Sequence, residues 1–261
     1  MSYSNIRFEA DQDGILTISV NRPQKLNALN QDTMGELADA FERARNDETV
    51  RGLIVTGTGE KAFVAGADIN ELAVLSPVEA QALSLKGQGI LRALEQMPKP
   101  SVAAVNGFAL GGGMELAMSC TIRVASTNAK FGQPEVKLGI VPGYGGTQRL
   151  PRLVGRGRAI EMLISGETID AVEAYRIGLV NYIAPSEELL SFSRAWLLKT
   201  MANGPKAVAL VMEAVDVGLD CGLDAGLRFE AAAFALTAAT EDRREGTRAF
   251  LEKRKPAFAG R

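Results

Sequence analysis

The chain has 261 residues, with 29 Lys and Arg against 31 Asp and Glu for a formal net charge of −2, and 46% hydrophobic residues. This composition describes one large globular domain, or a domain with an appendage, that can bury a core without disulfides or structural metals. It argues against nucleic-acid binding through a general positive field, against a membrane span of ~20 apolar residues, and against a secretion signal in MSYSNIRFEA, so a cytoplasmic protein is expected.

In chain order, Gly14 to Val20 is β-rich and ends at the turn Asn21-Arg22-Pro23. Met34, Leu37, Ala38 and Phe41 then recur at the spacing of one buried helical stripe. Gly52 to Thr56 predicts a short apolar strand closed by Gly57-Thr58-Gly59. A long helix is expected from Pro77 to Met97, stopped by Pro98-Lys99-Pro100. Ser101 to Val105 predicts another buried strand, and Ile122 to Ala125 and Leu179 to Ile183 later ones. This alternation gives an α/β fold class. After about Pro185 four helical segments are expected. Leu223 to Ala239 is so apolar that it must lie inside the fold or meet another subunit. Thr240 should cap the last helix.

There is no histidine. Ser-His-Asp and Cys-His catalysis and His-ligated metals are therefore excluded. Two cysteines, Cys120 and Cys221, do not make a zinc site by themselves. Acid–base chemistry must come from other side chains. Gly57-Thr58-Gly59-Glu60-Lys61-Ala62 matches a dinucleotide fingerprint, but that motif should open a helix, and Phe63-Val64-Ala65-Gly66 reads as a second extended segment. Gly111-Gly112-Gly113, between a strand and a helical pattern, would present backbone N–H groups at a helix N-terminus, either as an oxyanion site or as a tight turn. Glu115 follows in a stretch that reads as buried, where a lone carboxylate must be paired or protonated. Glu135, after Pro134 and before Gly139, Pro142 and Gly143, lies in a rigid irregular segment. Two carboxylates converging near an oxyanion site would form an acid–base pair.

These residues carry a resemblance over essentially the whole chain. Asn21-Arg22-Pro23 with Leu26-Asn27-Ala28-Leu29, Ala65-Gly66-Ala67-Asp68-Ile69, Ala104-Val105-Asn106-Gly107, the triple glycine with Glu115, Phe131-Gly132-Gln133-Pro134-Glu135 and Gly145-Gly146-Thr147-Gln148-Arg149-Leu150 occur in the order of the crotonase (enoyl-CoA hydratase/isomerase) superfamily. The chain most resembles its short-chain enoyl-CoA hydratases. The resemblance implies a spiral of ββα units over residues 1–195 and a C-terminal helical region over 196–261 that builds trimers or hexamers. It implies Glu115 and Glu135 as catalytic carboxylates, with Glu115 as base and Glu135 as proton donor. It implies the backbone N–H groups of Ala67 and Gly112 as an oxyanion hole. Substrate and CoA contacts are expected from Lys25, Lys61, Ala65, Asp68, Ile69, Phe250 and Lys253, the last two at tail positions that can reach the ligand of a neighbouring subunit. No metal or cofactor is expected, CoA being part of the substrate. Met114, Thr121 and Asn70 depart from residues common at their positions in the superfamily. Rival readings are an enoyl-CoA isomerase, a hydratase of cyclic or branched enoyl-CoA, and, from another class, an RNA-binding or scaffolding protein. Against the last stand the short basic run Lys253-Arg254-Lys255 and the net charge of −2.

Overall fold

The computed structural model describes residues 3–261. Its elements are β1 (Ile6–Ala10), β2 (Ile15–Val20), α1 (Gln31–Asn46), β3 (Gly52–Gly57), β4 (Ala62–Val64), α2 (Ile69–Leu72), α3 (Pro77–Glu95), β5 (Ser101–Val105), β6 (Phe108–Leu110) and α4 (Gly112–Met118). Then come β7 (Ile122–Ser126), β8 (Lys130–Gly132), α5 (Gly146–Val154), α6 (Arg156–Ser165), β9 (Thr168–Asp170), α7 (Ala171–Arg176) and β10 (Tyr182–Ala184). Four helices complete the chain: α8 (Leu189–Met201), α9 (Pro205–Asp220), α10 (Leu223–Ala238) and α11 (Glu241–Leu251).

The strands form two sheets, ordered β1-β2-β3-β5-β7-β10 and β4-β6-β8-β9. Each successive pair, β3-β4, β5-β6 and β7-β8, gives its first strand to the larger sheet and its second to the smaller one, and is followed by helix. That repetition is the expected ββα spiral. Pairing is parallel except at β1-β2 and β8-β9. The larger sheet is covered on both faces, which is why β3 and β5 read as unbroken apolar runs. Leu53, Val55, Ala103 and Val105 point into one core with Phe41, Phe63 and Phe131. Ile54, Val102 and Ala104 point into a second core with Leu197 and Met201 of α8.

The expected stripe of α1 is realised: Met34, Leu37 and Phe41 are buried, and Ala38 packs at its edge. Gly57-Thr58-Gly59 leads into β4 rather than a helix. Leu179 and Val180 are buried, yet pairing begins only at Tyr182, so that strand starts three residues later than expected and ends one residue later. Residue 195 falls inside α8, which packs on the larger sheet. Thr240 caps α11 by accepting from the Arg243 N–H. Helix α10 has one buried residue, Ala233. Leu223 and Phe234 are 77% and 76% exposed, so within one chain this apolar helix is not inside the fold. No helix among the described residues is long and apolar enough to cross a membrane.

Candidate active site

The site forms where the two sheets hand the chain to helices. Strand β6 is followed by Gly111, whose backbone (φ 49°, ψ −123°) turns sharply into α4. A side chain there would be strained, and a Cβ would lie 2.7 Å from Glu135 Oε1 and 3.8 Å from Gly66 Cα. One glycine thus touches both the second glutamate and the segment carrying Ala67. Gly113 is equally constrained, since a Cβ would overlap the Val64 carbonyl of β4. Gly112 is the first residue of α4 and Ala67 lies just before α2. Neither N–H makes a turn, loop or side-chain hydrogen bond among the described residues.

Ala67 is held by a bracket from the Asn21–Leu29 motif. Leu29 donates to the Gly66 carbonyl, Asp68 donates to the Leu29 carbonyl, and Ala65 donates to the Leu26 carbonyl. Arg22 ties the bracket by donating to the Ala28 carbonyl (2.5 Å) and to Asp68 Oδ2 (3.2 Å). Asp68 also caps α2. Hydrogen bonds from Asn70 and Arg22 hold its carboxyl below the usual range. Asp68, expected to contact substrate, is therefore engaged in holding Ala67.

Glu115 is 1% exposed. Its Oε1 accepts the N–H groups of Tyr144 (2.8 Å) and Gly146 (2.7 Å), so it sits at the N-terminus of α5. Burial, with the charge of Glu135 adding, pushes its pKa up to about 7 despite those two donors. Burial likewise pushes Glu135 up to about 7. Glu135 lies in the short turn Pro134–Leu138 that follows β8. The Gln133 side chain is fully buried, and its amide, oriented to satisfy its surroundings, donates to Glu135 Oε1 and Oε2 at 2.9 and 3.1 Å. The two carboxyls thus interact across a site bordered by two free N–H donors.

The Tyr144 ring packs behind Gly112, 3.3 Å from where its Cβ would be, and fills the space left by Gly87 of α3. Tyr144 and Gln133 had no assigned role from sequence. Gln133 stands two residues before Glu135 inside the Phe131-Gly132-Gln133-Pro134-Glu135 motif, the one local signal of its role. Nothing local marks Tyr144, because its partners come from α3 and α4.

Lys25 and Lys61 have exposed side chains on neighbouring turns, Pro23 approaching Gly59. Ile69 is 50% exposed at the start of α2. Phe250, 83% exposed on α11, and the exposed Lys253 beyond it take no part in the hydrogen bonds around the two glutamates.

The family model for enoyl-CoA hydratase/isomerase matches residues 10–261. Over 258 residues the chain is 50% identical to a crotonyl-CoA hydratase of Syntrophomonas wolfei, covering 99% of both chains. It is 47% identical over 255 residues to a short-chain-enoyl-CoA hydratase of Clostridium acetobutylicum, covering 98% of this chain and 97% of that one. The crystal structure of an enoyl-CoA hydratase from Bacillus anthracis superposes with a TM-score of 0.95 at 39% identity, over 99% of this chain and 100% of that one. With its ββα spiral and full-length matches, the chain belongs to the enoyl-CoA hydratase/isomerase family.

Proposed function

We infer that the chain is an enoyl-CoA hydratase, adding water across the double bond of a short-chain trans-2-enoyl-CoA to give the 3-hydroxyacyl-CoA. The observation that carries this reading is the pair Glu115 and Glu135, each pushed up to about 7 and each held by its own amide donors. Relatives named crotonyl-CoA hydratase and short-chain-enoyl-CoA hydratase support the substrate class.

The β-carbon of the thioester is electrophilic. As water oxygen bonds to it, the C2–C3 π electrons move toward the thioester and charge gathers on its carbonyl oxygen. The N–H groups of Ala67 and Gly112 receive that charge and stabilise the enolate more than the ground state. Glu115 takes the water proton. Two N–H groups and the start of α5 favour its charged form and leave Oε2 as the basic oxygen. Glu135 delivers its proton to C2, and passage of the proton from Glu115 back to Glu135, directly or through solvent, resets the pair. No cofactor enters, since CoA arrives with the substrate. Lys25 and Lys61 meet the CoA phosphates as cations. Ala65 and Ile69 line the acyl approach. Phe250 and Lys253 serve a neighbouring subunit's site in a trimer or a pair of trimers assembled through residues 196–261. The enzyme works in the cytoplasm.

Hydration of crotonyl-CoA in oxygen-18-labelled water tests the reading. The heavy oxygen should appear at C3 of the product. A double-bond shift without label would establish an isomerase instead.

A further inference from the structure

The turn that holds Glu115 is itself held from behind. Arg149 of α5 donates through Nη1 to the Tyr144 carbonyl at 2.7 Å. That carbonyl belongs to the peptide lying between the two whose N–H groups grip Glu115. The other side of the guanidinium forms a two-point pair with Glu95 of α3, Nε to Oε1 and Nη2 to Oε2, both at 3.1 Å. The pair is largely shielded, with the Arg149 and Glu95 side chains 13% and 23% exposed. Gly145 gives way to it: its φ is 108°, and a Cβ there would overlap Arg149 Nη1. On the opposite side, a Cβ at Gly146 would press within 2.9 Å of the Gln133 amide. The Tyr144–Gly146 turn is therefore fixed between Arg149 and the residue that pins Glu135.

We propose that Arg149, locked by Glu95, is a positioning residue for Glu115: it fixes the peptide turn whose N–H groups orient the carboxylate, and its charge favours the ionised base. The proposal rests on the hydratase reading for its catalytic meaning, though not for its geometry. Arg149 lies among the groups that lower the Glu115 pKa, whereas Glu135 raises it. Tyr144, whose hydroxyl burial and Glu115 push up, also faces the carboxylate. Arg92 of α3 also donates to Glu95 Oε2, at 2.8 Å, and a groove of about 950 Å³ behind the ion pair is lined further by the charged Arg123 of β7, Arg152 of α5, and Asp216 and Asp220 of α9. Neither catalytic glutamate lines this groove.

The two partners predict shifts of opposite sign. Arg149→Gln removes a cation whose charge lowers the Glu115 pKa and should raise that pKa. Glu95→Gln leaves that cation without its counter-charge and should lower the pKa. Arg149→Lys keeps the charge but not the two-point grip, so the pKa should stay while kcat falls. The experiment is a carbon-13 carboxyl titration of Glu115 in full-length protein, assigned by its absence in Glu115→Gln, together with crotonyl-CoA kinetics. Arg149→Gln and Arg149→Lys should lose ~10-fold or more in kcat, with KM little changed, because a displaced base misses near-attack geometry. Circular dichroism verifies the fold of each variant. If Arg149→Gln does not fold, the downward shift in Glu95→Gln decides. A Glu115 titration unmoved in the folded variants, or moved in the same direction by both charge changes, overturns the proposal. If the variants show these shifts but the wild type does not hydrate crotonyl-CoA, the hydratase reading is overturned and Arg149 stands as the group holding Glu115.

Discussion

Glu115 offers a test that needs no substrate. In the folded chain its pKa is pushed up to about 7 from 4.5, chiefly by burial. Between those values the folded state binds more protons than the unfolded one, so stability falls as pH rises through this window. At 1.4 kcal/mol per pH unit, charging the buried carboxyl costs roughly 3 kcal/mol by pH 8.5. Glu115→Gln is neutral at every pH, and its Oε1 can still accept the Tyr144 and Gly146 N–H groups. Allowing about 1 kcal/mol for the new amide nitrogen, roughly 2 kcal/mol of stabilisation remains above pH 8, or ~4–8 °C in Tm for a chain of this size. Below pH 4.5 the gain disappears and the variant should be slightly less stable than the parent. Calorimetric scans of both proteins from pH 4.5 to 8.5 give the difference directly, with the titrating groups that do not interact with Glu115 cancelling and the coupled Glu135 contributing in the same window. A Tm difference that is constant across this range would refute the idea that burial strains this carboxyl.

Three further outcomes follow from the same geometry. The kcat profile for hydration should be a narrow bell with its maximum near pH 7, because below it Glu115 is protonated and above it Glu135 has lost its proton; a flat profile from pH 6 to 9 would contradict the pairing. Gln133→Leu should lower kcat ~10-fold with circular dichroism unchanged, since it removes both donors to Glu135; steady-state rates near the parent's would show that Glu135 needs no such support. Gly111→Ala should cost about 1–3 kcal/mol in urea unfolding, because its φ of 49° disfavours a side chain, and should lose more activity than stability by pressing on Glu135.

Much of this arrangement was legible because burial and pattern coincide. Strands β3 and β5 are covered on both faces and so read as apolar runs, and α1 buries a stripe of 3.6-residue period. Strand β1 escaped notice because only Ile6 of its five residues is buried. Strands β6, β8 and β9 have three residues each, too few to show a period. Leu179 and Val180 misled because they are buried by packing and not by strand pairing. The two glutamates were found through residue type and surrounding glycines. Their convergence was not visible, because it depends on β6 and β8 lying side by side and bringing Gly111 against Glu135. The roles of Arg22, Gln133, Tyr144 and Arg149 were hidden for the same reason: each depends on residues distant in sequence or on a turn shaped by tertiary contacts. The apolar run of α10 called for burial inside the fold or against another subunit, and within one chain only Ala233 of this helix is buried.

Whether two glutamates share one hydration reaction is decided by the steady-state kcat for loss of the conjugated thioester absorbance of crotonyl-CoA, without added metal or nicotinamide, in the wild type, Glu115→Gln and Glu135→Gln. Each variant should fall by at least ~10²-fold while remaining folded. Hydration within a few-fold of wild type in either folded variant would remove that carboxylate from the reaction and contradict the two-glutamate mechanism.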